Sequence, residues 1–212
     1  AIKFVKGNVH SAVGSQQAAQ EYAALRKVVG IRHPFLLSMD RFEEVNNELL
    51  IVMELADETL IHRFERYKQA GYAGIPRDEL LSYVAEAAEA LDLMNAQHNL
   101  LHLDIKPGNL FLVGDHVKVA DFGLVGDLTA YQTPGEGGEP TVELPGITPL
   151  YCAPEVLKNS PSAHSDQYSL AIVYQELLTG VLPFVGKNAR SLAMQHLMAE
   201  PHLDALPPKD LP

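Results

Sequence analysis

The run His102-Leu103-Asp104-Ile105-Lys106-Pro107-Gly108-Asn109, with Asp121 seventeen residues after Asp104, concentrates the side chains that could do chemistry. Magnesium takes hard oxygen ligands and keeps several waters, so one carboxylate and one amide oxygen beside a polyphosphate suit it. Asp121 and Asn109 supply such oxygens. Asp104 could orient an attacking hydroxyl and accept its proton. Lys106, two residues on, could neutralise charge on a moving phosphoryl group. That is phosphoryl transfer, which asks mainly for positioning and charge compensation. The plainer alternative is a set of loop carboxylates sitting in turns.

These residues need elements to hold them. Residues 110–113 and 116–120 flank Gly114-Asp115, a two-residue turn with glycine first, which predicts a strand hairpin. A hairpin brings its ends together, so Asn109 and Asp121 converge. Nearer the N-terminus, residues 1–6 alternate apolar and basic as a half-exposed strand does. Residues 15–29 read as a helix, with Ser15 as N-cap and Gly30 as stop. His33-Pro34 breaks the pattern, and runs 35–42 and 48–54, parted by Asn46-Asn47, predict a second hairpin. Beyond Leu55 the pattern turns helical. Residues 57–69 predict a short helix. A longer one over 78–97 has Leu80, Leu81, Val84, Ala88, Leu91 and Met94 at helical spacing, with Asp78 and Glu79 in the first turn, where they suit the helix dipole. Residues 126–149 read as a long loop rich in Gly, Pro, Thr and Glu. Residues 166–178 return to helix, apolar on most sides as a buried helix is, and a last helix is expected near 191–200. A strand-rich front and a helix-rich back make an α+β chain.

Taken together, His102 to Asn109, Asp121-Phe122-Gly123 and Ala153-Pro154-Glu155 resemble the catalytic loop, the metal-binding triplet and the Ala-Pro-Glu motif of protein kinases. One motif would be weak; three in this order, with a hairpin between the first two, are specific. The likeness covers essentially the whole chain. It implies a two-lobed protein-kinase-like fold. Residues 1–54 would be an incomplete, β-rich N-lobe, and residues 55–212 a truncated, mainly helical C-lobe. It implies ATP and Mg2+ as cofactors, catalytic roles for Asp104 and Lys106, and metal ligation by Asn109 and Asp121. Ala1-Ile2-Lys3 resembles the end of the strand whose lysine holds the α- and β-phosphates of ATP. Glu21 is that lysine's expected helix partner, with an ordinary exposed glutamate as the alternative. Val52-Met53-Glu54-Leu55-Ala56 is similar to the strand entering the hinge between lobes. The resemblance gives the backbone of Glu54 to Ala56 the adenine edge and Met53 the border of the pocket behind it; simple core is the other reading of Met53.

Leu25, Met39, His102 and Phe122 match positions that stack as an apolar column, and Asp166 matches its anchor, a role compatible with capping a helix. Thr148 resembles the threonine that hydrogen-bonds the catalytic Asp and Lys in serine/threonine kinases, which implies Ser or Thr of a protein substrate as acceptor. The general flavour is similar to the eukaryotic-like kinases of bacteria, which implies sensor or membrane-anchor domains outside this stretch.

Three features depart from the family pattern. No Gly-rich loop precedes Lys3. The chain starts at Ala1 rather than Met, and it stops at Pro212, ahead of the later helices and of the arginine that pairs with the Ala-Pro-Glu carboxylate. The expectation is a middle portion of a kinase domain, with activity belonging to a longer enzyme and Glu155 lacking its usual partner. Third, Leu103 stands where most relatives carry an arginine that receives a loop phosphate. No Lys or Arg occurs between Lys118 and Lys158, where six carboxylates lie. An enzyme independent of phosphorylation at Thr129, Thr133 or Thr141 is expected. A pseudokinase scaffold is the alternative from another class, and the presence of Lys3, Asp104, Asn109 and Asp121 argues against it. Thr148 and Ala-Pro-Glu argue against a small-molecule kinase.

Composition narrows the classes further. The 212 residues carry a net charge of −11, from 16 basic and 27 acidic side chains. That disfavours nucleic acid and anionic membrane as partners, since both are bound through basic surface. No apolar run exceeds five residues, against the roughly 20 of a membrane-spanning helix. Lys3, Lys6 and His10 interrupt the place of a secretory signal's apolar core. A single cysteine makes neither an internal disulfide nor a zinc cluster, so a reducing, cytoplasmic setting is expected. Cys152 has no basic neighbour in sequence and is expected to be structural.

Overall fold

The computed structural model describes residues 1–6, 15–45, 48–122, 124–128 and 148–210, and the side chains of all of these except 5, 6, 15–21 and 48. A three-stranded antiparallel sheet opens the fold, with β1 (Ile2–Lys6), β2 (Met39–Val45) and β3 (Glu48–Met53) in the order β1-β3-β2. The central strand has the sequence Glu-Leu-Leu-Ile-Val-Met, and Leu49 and Ile51 on one of its faces are buried. The alternation in β1 is present with its apolar side outward: Ile2 and Phe4 are 60% and 58% exposed. Lys3 therefore takes the other face and turns towards the site.

Helix α1 (Ser15–Val28) lays Ala24, Leu25 and Val28 on the sheet, and Tyr22 meets Phe42 edge-on at 5.2 Å. Ser15 opens this helix, although its expected capping side chain lies outside the described residues. Gly30 adopts φ +97°, a conformation that favours glycine at a helix stop. The strand expected from residue 35 begins only at Met39. Residues 35–37 are instead stitched to a later strand: Leu36 bridges Val119, Leu37 N–H donates to Val119 O, and Val119 N–H donates to Phe35 O. Their backbone groups are satisfied there, which leaves them unavailable to β3.

The second part is mainly helical. The short helix expected over 57–69 is split, because Glu58–Thr59 pair as β4 before α2 (Leu60–Gln69) starts. Helix α3 (Arg77–His98) is one residue longer at each end than expected, and Asn99 closes it with φ 52°. Its buried stripe is Leu80, Tyr83, Ala87, Ala90, Leu91 and Met94, so Leu81, Val84 and Ala88 lie further round than the apolar pattern implied. Tyr83 takes the inner place because its hydroxyl donates to Glu79 one turn earlier, at 3.0 Å. Burial alone would push the Glu79 carboxyl up, but donors from Tyr67, Arg63 and Tyr83 hold it below the ordinary carboxylate range.

Strands β6 (Leu110–Val113) and β7 (His116–Val119) form the expected hairpin, with Gly114 at φ +61°, and β6 also pairs with β4. Leu100–Leu101 make a short strand, β5, that pairs with β8 (Gly126–Asp127). The stretch expected to be loop from residue 126 thus begins as strand; residues 129–147 lie outside the described residues. Helices α4 (Pro154–Leu157), α5 (Ser165–Thr179) and α6 (Ala189–Met198) complete the order. Helix α5 packs against α3, and one apolar cluster runs from Leu25 and Ile51 through Leu80 and Met94 to Val173 and Leu177. Bidentate donation from Arg77 to Asp210 holds the last described turn to the start of α3.

Gly74 is required by contact rather than by φ. Ile75 N–H donates to Leu177 O at 2.7 Å, and a Cβ at Gly74 would lie 2.2 Å from that same carbonyl oxygen. Backbone passes over backbone here, so no side-chain adjustment makes room. Gly74→Ala should lower the unfolding free energy by about 2–3 kcal/mol, read from urea unfolding by circular dichroism. A change within about 0.5 kcal/mol, the range of neutral surface substitutions, would contradict this packing.

Candidate active site

The site is built on one carboxylate that faces no chemistry. Asp166, in the first turn of α5, is 6% exposed, and its oxygens accept the N–H groups of His102 (2.7 Å) and Leu103 (2.8 Å). Burial pushes its carboxyl up, while the two N–H bonds pull it back. The N–H bonds hold Leu103 in a left-handed conformation, φ 63°, that an apolar residue seldom adopts. Leu103 is 6% exposed and packs with Leu101, Leu128, Cys152, Ala153 and Val156.

His102 carries the arrangement to the next loop. The ring is fully buried, Nδ1 accepts the Asp104 N–H at 3.3 Å, and Nε2 lies 3.0 Å from Ala120 O. A backbone N–H on Nδ1 leaves the ring proton on Nε2, where it donates to Ala120. His102 also meets Phe122 with ring centroids 5.4 Å apart. Leu25, Met39 and Phe122 wall one cavity together, so the members of the expected column lie close to one another. Asp121, next after Ala120, has φ 65°, a conformation that Asp tolerates better than most residues.

Around Asp104 the polar contacts are dense. Lys106 Nζ donates to Oδ2 at 2.6 Å, and Asn109 Nδ2 donates to Oδ2 at 2.9 Å and to the Asp104 backbone oxygen at 2.8 Å. The Thr148 hydroxyl donates to Oδ1 at 3.0 Å and lies 3.4 Å from Lys106 Nζ. The structure therefore brings Asp104, Lys106, Asn109 and Thr148 into one network across 44 residues of sequence. An ionised carboxylate offers about four acceptor directions. Three are taken here, and the open one belongs to Oδ1.

Lys3 and Asp121 meet at 2.8 Å, both side chains about 40% exposed. The cavity beside them, about 80 Å³, is walled by Lys3, Asp121, Met53 and Phe111 together with Leu25, Met39 and Phe122. Glu54 and Ala56 do not wall it. The Glu54 carboxylate faces away, accepting the Ser38 N–H at 3.2 Å and pairing with Lys118 at 3.0 Å. Glu21 sits in α1, and its side chain lies outside the described residues. Both Asn109 donor hydrogens point at Asp104, which turns Oδ1 the other way. With the Asp121 carboxylate this leaves hard-oxygen donors of the kind magnesium takes. Among the described residues no group of three or more His, Cys, Asp or Glu side chains could hold a metal ion.

Two features were missed from the sequence. Phe111 enters the cavity wall because Leu110 and Leu112 take the buried face of β6, a consequence of strand alternation that was there to be used. Glu155 has neutral partners in place of the usual arginine: the hydroxyls of Ser165, the first residue of α5, and of Ser162 before it donate to it at 2.6 and 3.3 Å. The Cys152 thiol is buried and pushed up to about 12, first by burial and then by Glu155 and Asp104, which makes it a packing group rather than a nucleophile.

The family model for the protein kinase domain matches residues 1–209. The chain is 30% identical over 206 residues to CBL-interacting serine/threonine-protein kinase 16 of Arabidopsis thaliana, covering 94% of this chain and 42% of that protein. It is 30% identical over 209 residues to serine/threonine-protein kinase PknF of Mycobacterium tuberculosis, covering 95% of this chain and 41% of the relative. It is 34% identical over 138 residues to serine/threonine-protein kinase PknB of Mycolicibacterium smegmatis, 61% of this chain and 21% of the relative. The chain spans about two fifths of the length of the first two. With its catalytic-loop network, its buried Asp166 anchor and this match along nearly all of its length, the chain belongs to the protein kinase domain family.

Proposed function

We propose that this chain carries the transfer site of a serine/threonine protein kinase, moving the γ-phosphoryl group of Mg·ATP to a protein hydroxyl. The observation that carries the reading is the network on Asp104. Its Oδ1 keeps one acceptor direction open beside Thr148, and an acceptor hydroxyl placed there gives up its proton to that oxygen as its own oxygen bonds phosphorus. The bond from phosphorus to the bridging oxygen breaks, and ADP leaves with the electron pair. Lys106, already 2.6 Å from Asp104, offsets the charge that builds on the transferred group. Magnesium, when bound, neutralises the phosphate oxygens; Asp121 and Asn109 would hold it. Lys3 would reach the phosphates, with Glu21 as its helix partner and the backbone of Glu54 to Ala56 meeting adenine. Residues 1–54 and 55–212 would then be the two lobes that close on the nucleotide.

The short reach between Thr148, Lys106 and Asp104 suits the side chains of Ser and Thr. The named serine/threonine kinases among the relatives support that choice. Domains outside this stretch, of sensor or membrane-anchor type, fit the greater length of those relatives. No described helix is long and apolar enough to cross a membrane. A reduced, buried Cys152 and ATP as donor fit a cytoplasmic setting.

Labelled-phosphate transfer from Mg·ATP to a mixed basic protein substrate, using the full-length protein, tests the reading. Transfer to Ser or Thr should occur, and Asp104→Asn and Asp121→Asn should each lower it by about 100-fold or more. Absence of transfer by the unaltered protein, with nucleotide still bound, would favour the scaffold alternative. A second expectation follows from Leu103, whose apolar packing puts no guanidinium where a loop phosphate would be received. Thr129, Thr133 and Thr141 lie outside the described residues. Replacing all three by Ala should leave the transfer rate within about threefold, a difference below 1 kcal/mol; loss of activity with the fold intact would refute it.

A further inference from the structure

Helix α5 carries two carboxylates ten residues apart, and each holds a different arm of the site. Asp166, in its first turn, takes the His102 and Leu103 N–H groups. Glu176, about 15 Å further along the helix axis, takes the Tyr151 hydroxyl. That hydroxyl donates to Glu176 Oε2 at 2.8 Å. The Tyr151 ring is buried in the main apolar cluster, which also holds Leu170, Val173 and Leu177 of α5. Burial first, then the Glu176 carboxylate, push the hydroxyl up, so Tyr151 keeps its proton and is the donor.

A short turn relays this bond to the reacting groups. Thr148-Pro149-Leu150-Tyr151 form a four-residue turn, in which the Tyr151 N–H donates to the Thr148 carbonyl at 3.3 Å. Pro149 takes the second place, where a ring that fixes φ at about −65° is favoured. Proline also restricts the residue before it, here Thr148, towards extended backbone. The turn is therefore stiff, and a shift of Tyr151 is passed on to Thr148. At its far end the Thr148 hydroxyl donates to Asp104 Oδ1 at 3.0 Å. Hydrogen bonds thus close a circuit from α5 through the catalytic loop, Thr148 and Tyr151 back to α5.

We propose that Tyr151 is a positioning residue for the transfer reaction: its bond to Glu176 fixes the turn that seats Thr148 on Asp104. Helix α5 then sets both arms of the acceptor site, one through Asp166 and the other through Glu176. The consequence for catalysis rests on the phosphoryl-transfer reading, whereas the tie itself does not.

The placement of the circuit decides what its loss affects. None of the residues walling the cavity beside Lys3 and Asp121 belongs to it. Thr148, by contrast, shares Asp104 Oδ1 with the direction left open for an acceptor hydroxyl. Loosening the turn therefore disturbs the acceptor side and leaves the nucleotide side as it is. Phe at 151 fills the same space and removes one oxygen only, so the ring stays packed while the tie is lost.

Hydrogen exchange of the full-length protein, read in residues 150–153 with α3 as reference, tests the tie. Exchange there should rise about tenfold in Tyr151→Phe and in Glu176→Leu, with α3 unchanged. The double variant should stay within about twofold of the larger single effect, because the same bond is lost only once. In transfer, Tyr151→Phe should lower kcat/KM for the protein acceptor about tenfold and leave KM for ATP within about twofold. In a Thr148→Val background the same substitution should change neither value, since it acts through Thr148. Unchanged exchange in 150–153, an equal rise in α3, single effects that multiply in the double variant, or a kinetic effect that persists in Thr148→Val would overturn the proposal. A wild-type protein that transfers no phosphate would count against the kinase reading alone, since the exchange results still decide the tie.

Discussion

Asp166 places a carboxylate where water does not reach, and its two oxygens take the N–H groups of two successive residues of the catalytic loop. The left-handed turn at Leu103 costs about 1–2 kcal/mol for a residue with a side chain. The two hydrogen bonds to Asp166, at 2.7 and 2.8 Å, hold the turn against that strain. With Leu103 so turned, His102 faces inward and its ring joins the Asp104 N–H to the Ala120 carbonyl. One buried carboxylate thereby sets the loop that carries Asp104, Lys106 and Asn109 and, through a single imidazole, the position of Asp121. The network on Asp104 and the pairing of Lys3 with Asp121 are built on that frame.

Charge explains why the site can be stable and still open to a ligand. Lys3 and Asp121 pair at the rim, each about 40% exposed. Pairs of that exposure contribute only about 0–1 kcal/mol, so on the proposed reading a polyphosphate would compete with Asp121 for the lysine against a weak bond. The Asp104 network is different: its carboxylate is 12% exposed and holds three donors, so its geometry persists without a substrate. The well-held part of the site is thus the Asp104 network, and the loosely held part is the exposed pair of Lys3 and Asp121.

Much of this was legible in the residues, and the failures have physical causes. The hairpin after Asn109 could be read because Gly114 and the strand pattern agree, and with it came the convergence of Asn109 and Asp121. Helices α1, α3 and α5 followed from periodicity and stop signals to within a residue or two. Strands of two residues, Glu58–Thr59 and Leu100–Leu101, are too short for any period and exist only through their partners. Residues 35–37 look like strand and pair with a chain 80 residues away, a choice made by tertiary contact. The buried stripe of α3 shifted because a hydroxyl found a carboxylate. In the site, side-chain types pointed to Asp104, Lys106, Asn109 and Thr148. Phe111 and the serine partners of Glu155 depend on which faces meet, which composition does not carry.

The measurement that bears most directly on this account is the single-turnover rate of phosphoryl transfer in Asp166→Asn, at saturating Mg·ATP. An amide of the same shape offers one acceptor oxygen where two are needed, so one N–H of the catalytic loop loses its partner. The rate should fall by about 100-fold or more with the fold and nucleotide binding retained, because the loop that aims Asp104 is released. A rate equal to that of the unaltered protein would show that the loop holds its geometry without Asp166, and would contradict the account.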